Sequence, residues 1–393
     1  MTTAQHEDRS ADAALLREVV SDFLAERAPA RRTREISEAG LPLDRDLYRE
    51  LAGLGLLTML ADTTGDGTAS PAPGNLPELT LVAQLAGQSV LHGPALACNL
   101  GAYAIAVGAT SDRHRAQLQA IAGGTLIATI APAGELAPGA AGGLHASAVD
   151  DGYEISGSLP LAEVAGAADL IVVAAQTDAG TELFTLDTSA PGVSITPLTS
   201  LDLGRRYAAV KLERVFVTAD SRLVFPSGAA EFGETLWWLG ALLACHETLG
   251  AAGRAHELTV DYARSRVAFG RAIGSFQSIK HRLVDMRLRL ETGRALAEIA
   301  AADFCAGDAS PESLSVAKAY LNEHAPPLVR QCVQIHGGIG FTWEHDLHLY
   351  LRRVEANALL YGDTSLHCDR IIQALEDSRL TGAELASPAA DPR

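Results

Sequence analysis

Residues 262–286 read YARSRVAFGRAIGSFQSIKHRLVDM, and this stretch decides how the chain is organised. Leu258, Tyr262 and Arg266 recur at helical spacing up to a short turn, Phe269-Gly270-Arg271-Ala272-Ile273-Gly274. A second helical pattern starts near Ser275 and runs on through Leu283 and Met286. The spacing predicts two helices joined by a glycine-containing turn. Arg266 and Gln277 flank that turn and can face one cleft, where the planar fork of an arginine suits an anionic ligand. An ordinary helical hairpin with a surface arginine fits the same spacing.

Working outward, 393 residues exceed one simple core, so two or three packed units are expected. A hydrophobic content of 48% with a mean hydropathy of +0.11 is enough to bury large cores. No run of about 20 uncharged apolar residues occurs, so no membrane span is expected. The N-terminal MTTAQHEDRSADAALLREVV is charged and lacks the apolar centre of a signal peptide. A net charge of −17 disfavours nucleic acid and anionic membranes as partners. Cys98, Cys245, Cys305, Cys332 and Cys368 are scattered, with no C-x-x-C pair, as expected of reduced residues in a cytoplasmic protein.

Ahead of the central stretch, residues 11–123 carry helical patterns. Leu15, Leu16, Val19, Val20 and Phe23 form one stripe, and Leu47, Leu51, Leu54 and Leu56 form another. A Gly/Thr/Pro-rich loop over Asp62–Asn75 separates them from two further helices, Leu79–Gln88 and Pro94–Gly108. The second of these is apolar all round and is expected to be buried. From about Leu126 to Phe225 the pattern turns to short strands: TLIATIA, GLHASAV, YEISG, DLIVVAA, ELFTLD, GVSITP and YAAVKL. Asp150-Asp151-Gly152 marks a hairpin. Helices return from about Phe232 to Leu375, with a break at Ala306–Pro311. Strands grouped between helical blocks exclude an alternating parallel-sheet enzyme, and no strand is followed by G-x-G-x-x-G.

The pattern R-x-x-F-G followed by I-x-x-F-Q resembles the acyl-CoA dehydrogenase flavoproteins. Residues 334–353, QIHGGIGFTWEHDLHLYLRR, are similar to that family's second signature, and the resemblance extends from about Leu15 to about Ala374. It implies an α+β fold in three parts: an N-terminal helical domain (1–125), a middle antiparallel β-barrel domain (126–227) and a C-terminal helical bundle (228–380). A disordered tail, 381–393, is expected to follow. It also implies FAD bound between subunits of a homo- or hetero-oligomer, a dimer or tetramer. The substrate implied is acyl-CoA or another acyl thioester, desaturated between Cα and Cβ, with an electron-transfer flavoprotein as electron acceptor. Matched residue by residue, Arg266 would face the FAD pyrophosphate, Phe269 the adenosine and Gln277 the phosphate or ribitol. Gln334, Gly337 and Gly338 would form the other half, since paired glycines let backbone approach a phosphate or sugar. Thr129 and Thr364 match further cofactor-facing positions. Glu344 and Arg352 match family positions and are expected to form a structural ion pair. Glu344-His345-Asp346 with His348 does not have the spacing of a zinc motif.

The chain departs from the family at two places. After YEISG the family carries Trp-Ile-Thr against the flavin ring, whereas this chain has Ser158-Leu159-Pro160-Leu161-Ala162-Glu163. The family's catalytic base is the Glu of a Tyr-Glu-Gly-Thr motif, and here the run is Tyr361-Gly362-Asp363-Thr364. Alignment puts Gly362 or Tyr361 at that position. The alternative family site for the base, on an earlier helix, falls on Gly240. Asp363 is the nearby carboxylate and the candidate base, raised in pKa if buried over the flavin. A helix N-cap accounts for Asp363 equally well. Glu163 and His246 are outside candidates. The alternatives to a self-sufficient dehydrogenase are a non-catalytic partner subunit of a heteromeric one, or other flavin chemistry on this fold.

Overall fold

One helix sets the position of everything else. In a computed structural model of the chain, which describes residues 3–62, 70–71, 73–130, 143–163, 166–307 and 311–385, Ala229–Ser265 form a single helix of 37 residues. Leu236–Ala252, most of them apolar, are buried without a break. Such a helix can only be central.

Six helices precede it: α1 (Thr3–Arg27), α2 (Ala30–Glu38), α3 (Arg45–Gly53), α4 (Leu76–Ser89), α5 (Ala95–Gly108) and α6 (Asp112–Ala122). The central helix is therefore α7. It is followed by α8 (Gln277–Cys305), α9 (Pro311–His336), α10 (Leu347–Asn357) and α11 (Thr364–Leu385). Helices α4 and α7 touch backbone to backbone. A Cβ on Gly87 would meet the Glu247 carbonyl oxygen at 2.0 Å, and one on Gly250 would meet that of Gln84 at 1.8 Å. α11 continues to Leu385, past Thr381, and residues 386–393 of the expected tail lie outside the described residues. So does most of the expected loop over Asp62–Asn75, of which β1 (Ala61–Asp62) and β2 (Ser70–Pro71) are described as a short antiparallel pair.

The middle of the chain forms one sheet from β3 (Ala128–Ile130), β4 (Leu144–Val149), β5 (Gly152–Glu163), β6 (Leu170–Thr177), β7 (Gly180–Asp187), β8 (Val193–Leu198), β9 (Tyr207–Thr218) and β10 (Arg222–Leu223). The order is β10-β7-β6-β4-β5-β9-β8, with β3 parallel on β6. The expected antiparallel barrel is thus corrected to a mixed sheet, because β3 pairs parallel to β6 and β4 meets β6 in parallel at His145 and Gln176. Among the described residues β8 and β10 stand at its two ends and the sheet does not close. The hairpin at Asp150-Asp151 is present, with Val149 opposite Gly152. Strand β5 runs six residues beyond YEISG, through irregular register at Ile155/Gly157 and Leu159/Ala162, and delivers Glu163 to the helices. Such irregularities bend a strand and re-aim its side chains.

A candidate cofactor clamp and a filled cavity

At its C-terminal end α7 stops at Ser265, and Arg266 caps it. The expected turn is a two-stranded hairpin, β11 (Val267–Ala268) with β12 (Arg271–Ala272), tipped by Phe269 and Gly270. Phe269 has φ 54°, a left-handed conformation that costs a non-glycine residue free energy, and its ring is 95% exposed. Apolar surface is presented here at a backbone cost. Arg266 and Gln277 are exposed, and no side-chain hydrogen bond or ion pair engages Arg266 among the described residues. Tyr262, one turn before Arg266, stacks on His336 at 4.3 Å, and its hydroxyl donates to the His336 carbonyl at 3.4 Å. That stack brings the end of α9 against the end of α7. It sets Gln334 (exposed), Gly337 (φ 66°) and Gly338 beside the Arg266 turn. A Cβ on either glycine would meet nothing within 4 Å. Six of the eight expected cofactor residues therefore gather on one open end of the bundle.

Toward its N-terminal half α7 carries Gly240, and there the surface is filled. Tyr361 lies on Gly240 so closely that a Cβ on the glycine would be 2.2 Å from the ring Cε1. Two of the three positions at which the family resemblance would seat a base, Gly240 and Tyr361, are thus in contact, and the third, Gly362, follows Tyr361. The remaining cavity holds about 20 Å³, room for one water. Leu96, Leu100 and Leu243 wall it, and Glu163, Arg205 and Glu247 form its floor. Thr129 is fully buried on β3 beneath α5, with its hydroxyl unpaired, away from the exposed group. Thr364 is the first residue of α11.

Asp363 does not enter this cavity. It is exposed, and its carboxylate accepts from the Leu366 N–H at 2.9 Å, capping α11. The turn before it is held on both sides. Lys318, almost fully buried, donates to the Asn357 carbonyl at 2.8 Å, to Asn322 Oδ1 at 2.7 Å and to the Gly362 carbonyl at 3.4 Å. Asn322 adds a bond to the Gly362 carbonyl at 3.3 Å. His367 Nε2 meets the Tyr361 carbonyl at 2.9 Å, and its Nδ1 meets Ser315 at 3.2 Å. Burial pushes His367 down to about 4, so the ring is neutral. Its Nε2–H then donates, and Nδ1 accepts from the serine hydroxyl. Burial also pushes Lys318 down to about 8.

Sequence reasoning missed the charged floor. Arg353 donates to Asp202, to Glu247 at 2.6 Å and to the Leu91 carbonyl at 3.0 Å. Arg205 pairs with Glu247 and approaches Glu163 at 3.8 Å. Asn357 donates to Glu247 at 2.9 Å. Burial raises the Glu163 carboxyl, opposed by Arg205 and reinforced by Glu247. Burial also pushes Glu247 upward, but Arg205 and Arg353 together hold it below the ordinary range. The expected Glu344–Arg352 pair is corrected by the same geometry: Arg352 donates to the Leu201 carbonyl at 3.0 Å, and its neighbour Arg353 carries the buried pairs. Periodicity alone could not separate the two arginines of LRR, because one residue of helix rotation decides which points inward. His246 is buried with Nε2 unpaired and is pushed down to about 4 by burial. No group of His, Cys, Asp and Glu able to hold a metal is found among the described residues.

Comparison with known proteins agrees with this architecture. A family model described as the acyl-CoA dehydrogenase C-terminal domain matches residues 239–376. The acyl-CoA dehydrogenase IpdE2 of Mycobacterium tuberculosis is 30% identical over 349 residues, covering 88% of this chain and 92% of the relative. A crystal structure of the ChsE4–ChsE5 complex from the same organism superposes with a TM-score of 0.81 at 25% identity, covering 96% of this chain and 98% of the other. A glutaryl-CoA dehydrogenase from Mycobacterium smegmatis, solved in complex with FADH2, shares the fold at TM-score 0.79 and 20% identity, covering 93% and 94%.

Proposed function

The chain belongs to the acyl-CoA dehydrogenase family, and we propose that it serves FAD-dependent α,β-desaturation of an acyl thioester. The observation that carries this reading is the open end of α7. An exposed arginine without an internal partner, an aromatic ring held out in a left-handed conformation and two glycines facing empty space fit a dinucleotide laid across them. In this reading Arg266 holds the pyrophosphate, Phe269 covers the adenosine, Gln277 reaches the phosphate or ribitol, and Gln334, Gly337 and Gly338 admit the rest. FAD, when bound, supplies the acceptor for the hydride that leaves Cβ as a base takes the proton from Cα.

Gly240 and Arg266 are 26 positions apart on α7, which at about 1.5 Å per residue is about 39 Å. An extended FAD does not span that length. The clamp of one chain therefore serves a cavity in another, and the working unit is an oligomer. The electrons pass on, by the family resemblance, to an electron-transfer flavoprotein. No described helix is long and apolar enough to cross a membrane.

A second reading is favoured by Tyr361 on Gly240 and by the exposed, capping Asp363: the chain gives its clamp to a subunit of the same fold that carries the base. The test is anaerobic stopped-flow bleaching of the flavin by a panel of acyl-CoA thioesters. It is run on the chain alone, on the chain with a co-purifying subunit of its own fold, and on Asp363→Asn. A base at Asp363 requires the substitution to slow bleaching by on the order of 10²–10⁴-fold. A capping Asp363 leaves the rate unchanged. Bleaching only in the paired sample supports the partner-subunit reading, and no bleaching in any sample contradicts the proposed function.

A further inference from the structure

We infer that Tyr361 is a built-in plug: its ring fills the space an acyl chain would take in this chain's own cavity, and Lys318 holds it there. The inference rests on the acyl thioester reading above for the identity of what is excluded, but its geometry is independent of flavin.

Three observations converge on the ring. It lies on Gly240, where any larger residue would collide with it. The space left beneath it holds about 20 Å³, which admits a water and no alkyl chain. Its backbone has φ 56°, a conformation that tyrosine adopts only where the surroundings enforce it. Three side chains enforce it. His367 holds the Tyr361 carbonyl, while Lys318 and Asn322 hold the Gly362 carbonyl. Lys318 ties the same turn to the end of α10 through Asn357. Trp237 stands edge-on to the ring at 6.4 Å and closes another side. A loop shift that carried Tyr361 out and Asp363 in would break all of these bonds together. Lys318 is thus a positioning residue for the plug.

The plug leaves the walls of a cavity behind it. Leu96, Leu100 and Leu243 are apolar and suit an alkyl chain. On the floor, Arg205 pairs with Glu247 and approaches Glu163. Removing the ring should therefore open a slot walled by leucines above that paired floor.

The test is titration of the full chain with octanoyl-CoA, and with CoA as the control, by calorimetry and by tryptophan emission, which reports on Trp237. The variants are Tyr361→Gly, which also relieves the left-handed backbone, and Tyr361→Asn, a smaller side chain that tolerates that conformation. Both are expected to bind octanoyl-CoA at least about tenfold more tightly than wild type, with one new site per chain, while affinity for CoA stays the same. Tyr361→Phe keeps the ring and should behave as wild type. Lys318→Met should raise affinity on its own and add nothing to Tyr361→Gly, a non-additivity that a remote stabilising role would not produce. Wild type that already binds one octanoyl-CoA per chain, with Tyr361→Gly no tighter, would overturn the plug. Folded Tyr361→Gly and Tyr361→Asn proteins that gain no site would overturn it too. FAD content, measured on the same samples, separates this outcome from a failure of the family reading, since the slot opens with or without flavin.

Discussion

The two ends of α7 are built in opposite ways. Around Arg266 the expected cofactor residues are open: a guanidinium without an internal partner among the described residues, an exposed aromatic ring, and two glycines on which a Cβ would meet nothing. Around Gly240 little more than a water's space is left, between Tyr361 above and five interlocked charges below. An open site keeps its side chains for another molecule, whereas a filled one has used them on itself. The contrast teaches that a family signature can stand at one end of a helix while the surface at the other end is packed shut.

The largest effect expected from breaking this contrast is at the charged floor. Arg353 is fully buried and neutralises Asp202 and Glu247 together. Arg353→Met leaves both carboxylates without that partner, and removal of one member of a buried pair costs on the order of 3–5 kcal/mol. The expected outcome is a large fall in the urea midpoint. A midpoint within the scatter of wild type would show that the network contributes no net stability.

The next effect is a dependence on pH, to which the filled end and the core behind it contribute the largest shifts. Burial pushes His92, His246 and His367 each down to about 4. Between the ordinary value near 6.5 and that value, the unfolded chain takes up protons that the folded chain refuses. The stability these three rings contribute is therefore fully present above pH ~6.5 and is lost as pH falls toward 4, adding up to three protons to the slope. Both ring nitrogens of His92 lack a partner, so His92→Leu should fold and reduce the slope by one proton. An unchanged slope would mean that His92 is already charged in the fold.

Much of this was legible in the sequence, and the failures have physical causes. The helix, sheet and helix order follows from the switch between period 3.6 and period 2, and seven of the strands fall where β-rich runs predict them. The two runs that carry the proposed clamp residues are compact in the sequence, and the Tyr262–His336 stack joins them. The parallel pairing of β3 was not, since register between distant strands leaves no local trace. The end of β5 was hidden because Pro160 interrupts the run, and a bulged strand tolerates proline where a regular one does not. Asp363 illustrates the limit best: the residue type suits a base as well as a cap, and the bond it accepts from the Leu366 N–H at 2.9 Å is the contact of a cap. The network of Asp202, Arg205, Glu247 and Arg353 spans three separate segments with no spacing to announce it.

The smallest effect on stability is expected at the open end, and there the effect on cofactor is decisive. Arg266→Ala removes an exposed side chain, so thermal and urea midpoints should stay within about 0.5 kcal/mol of wild type. Loss of a charge-assisted bond worth roughly 1.5–3 kcal/mol should weaken FAD binding by about 10- to 100-fold. The measurement is the ratio of flavin to chain in the assembled oligomer, for wild type and Arg266→Ala, at low free flavin. The expected result is near-stoichiometric FAD in wild type and its loss from a variant of unchanged fold and assembly. Full retention of FAD by Arg266→Ala would contradict the clamp.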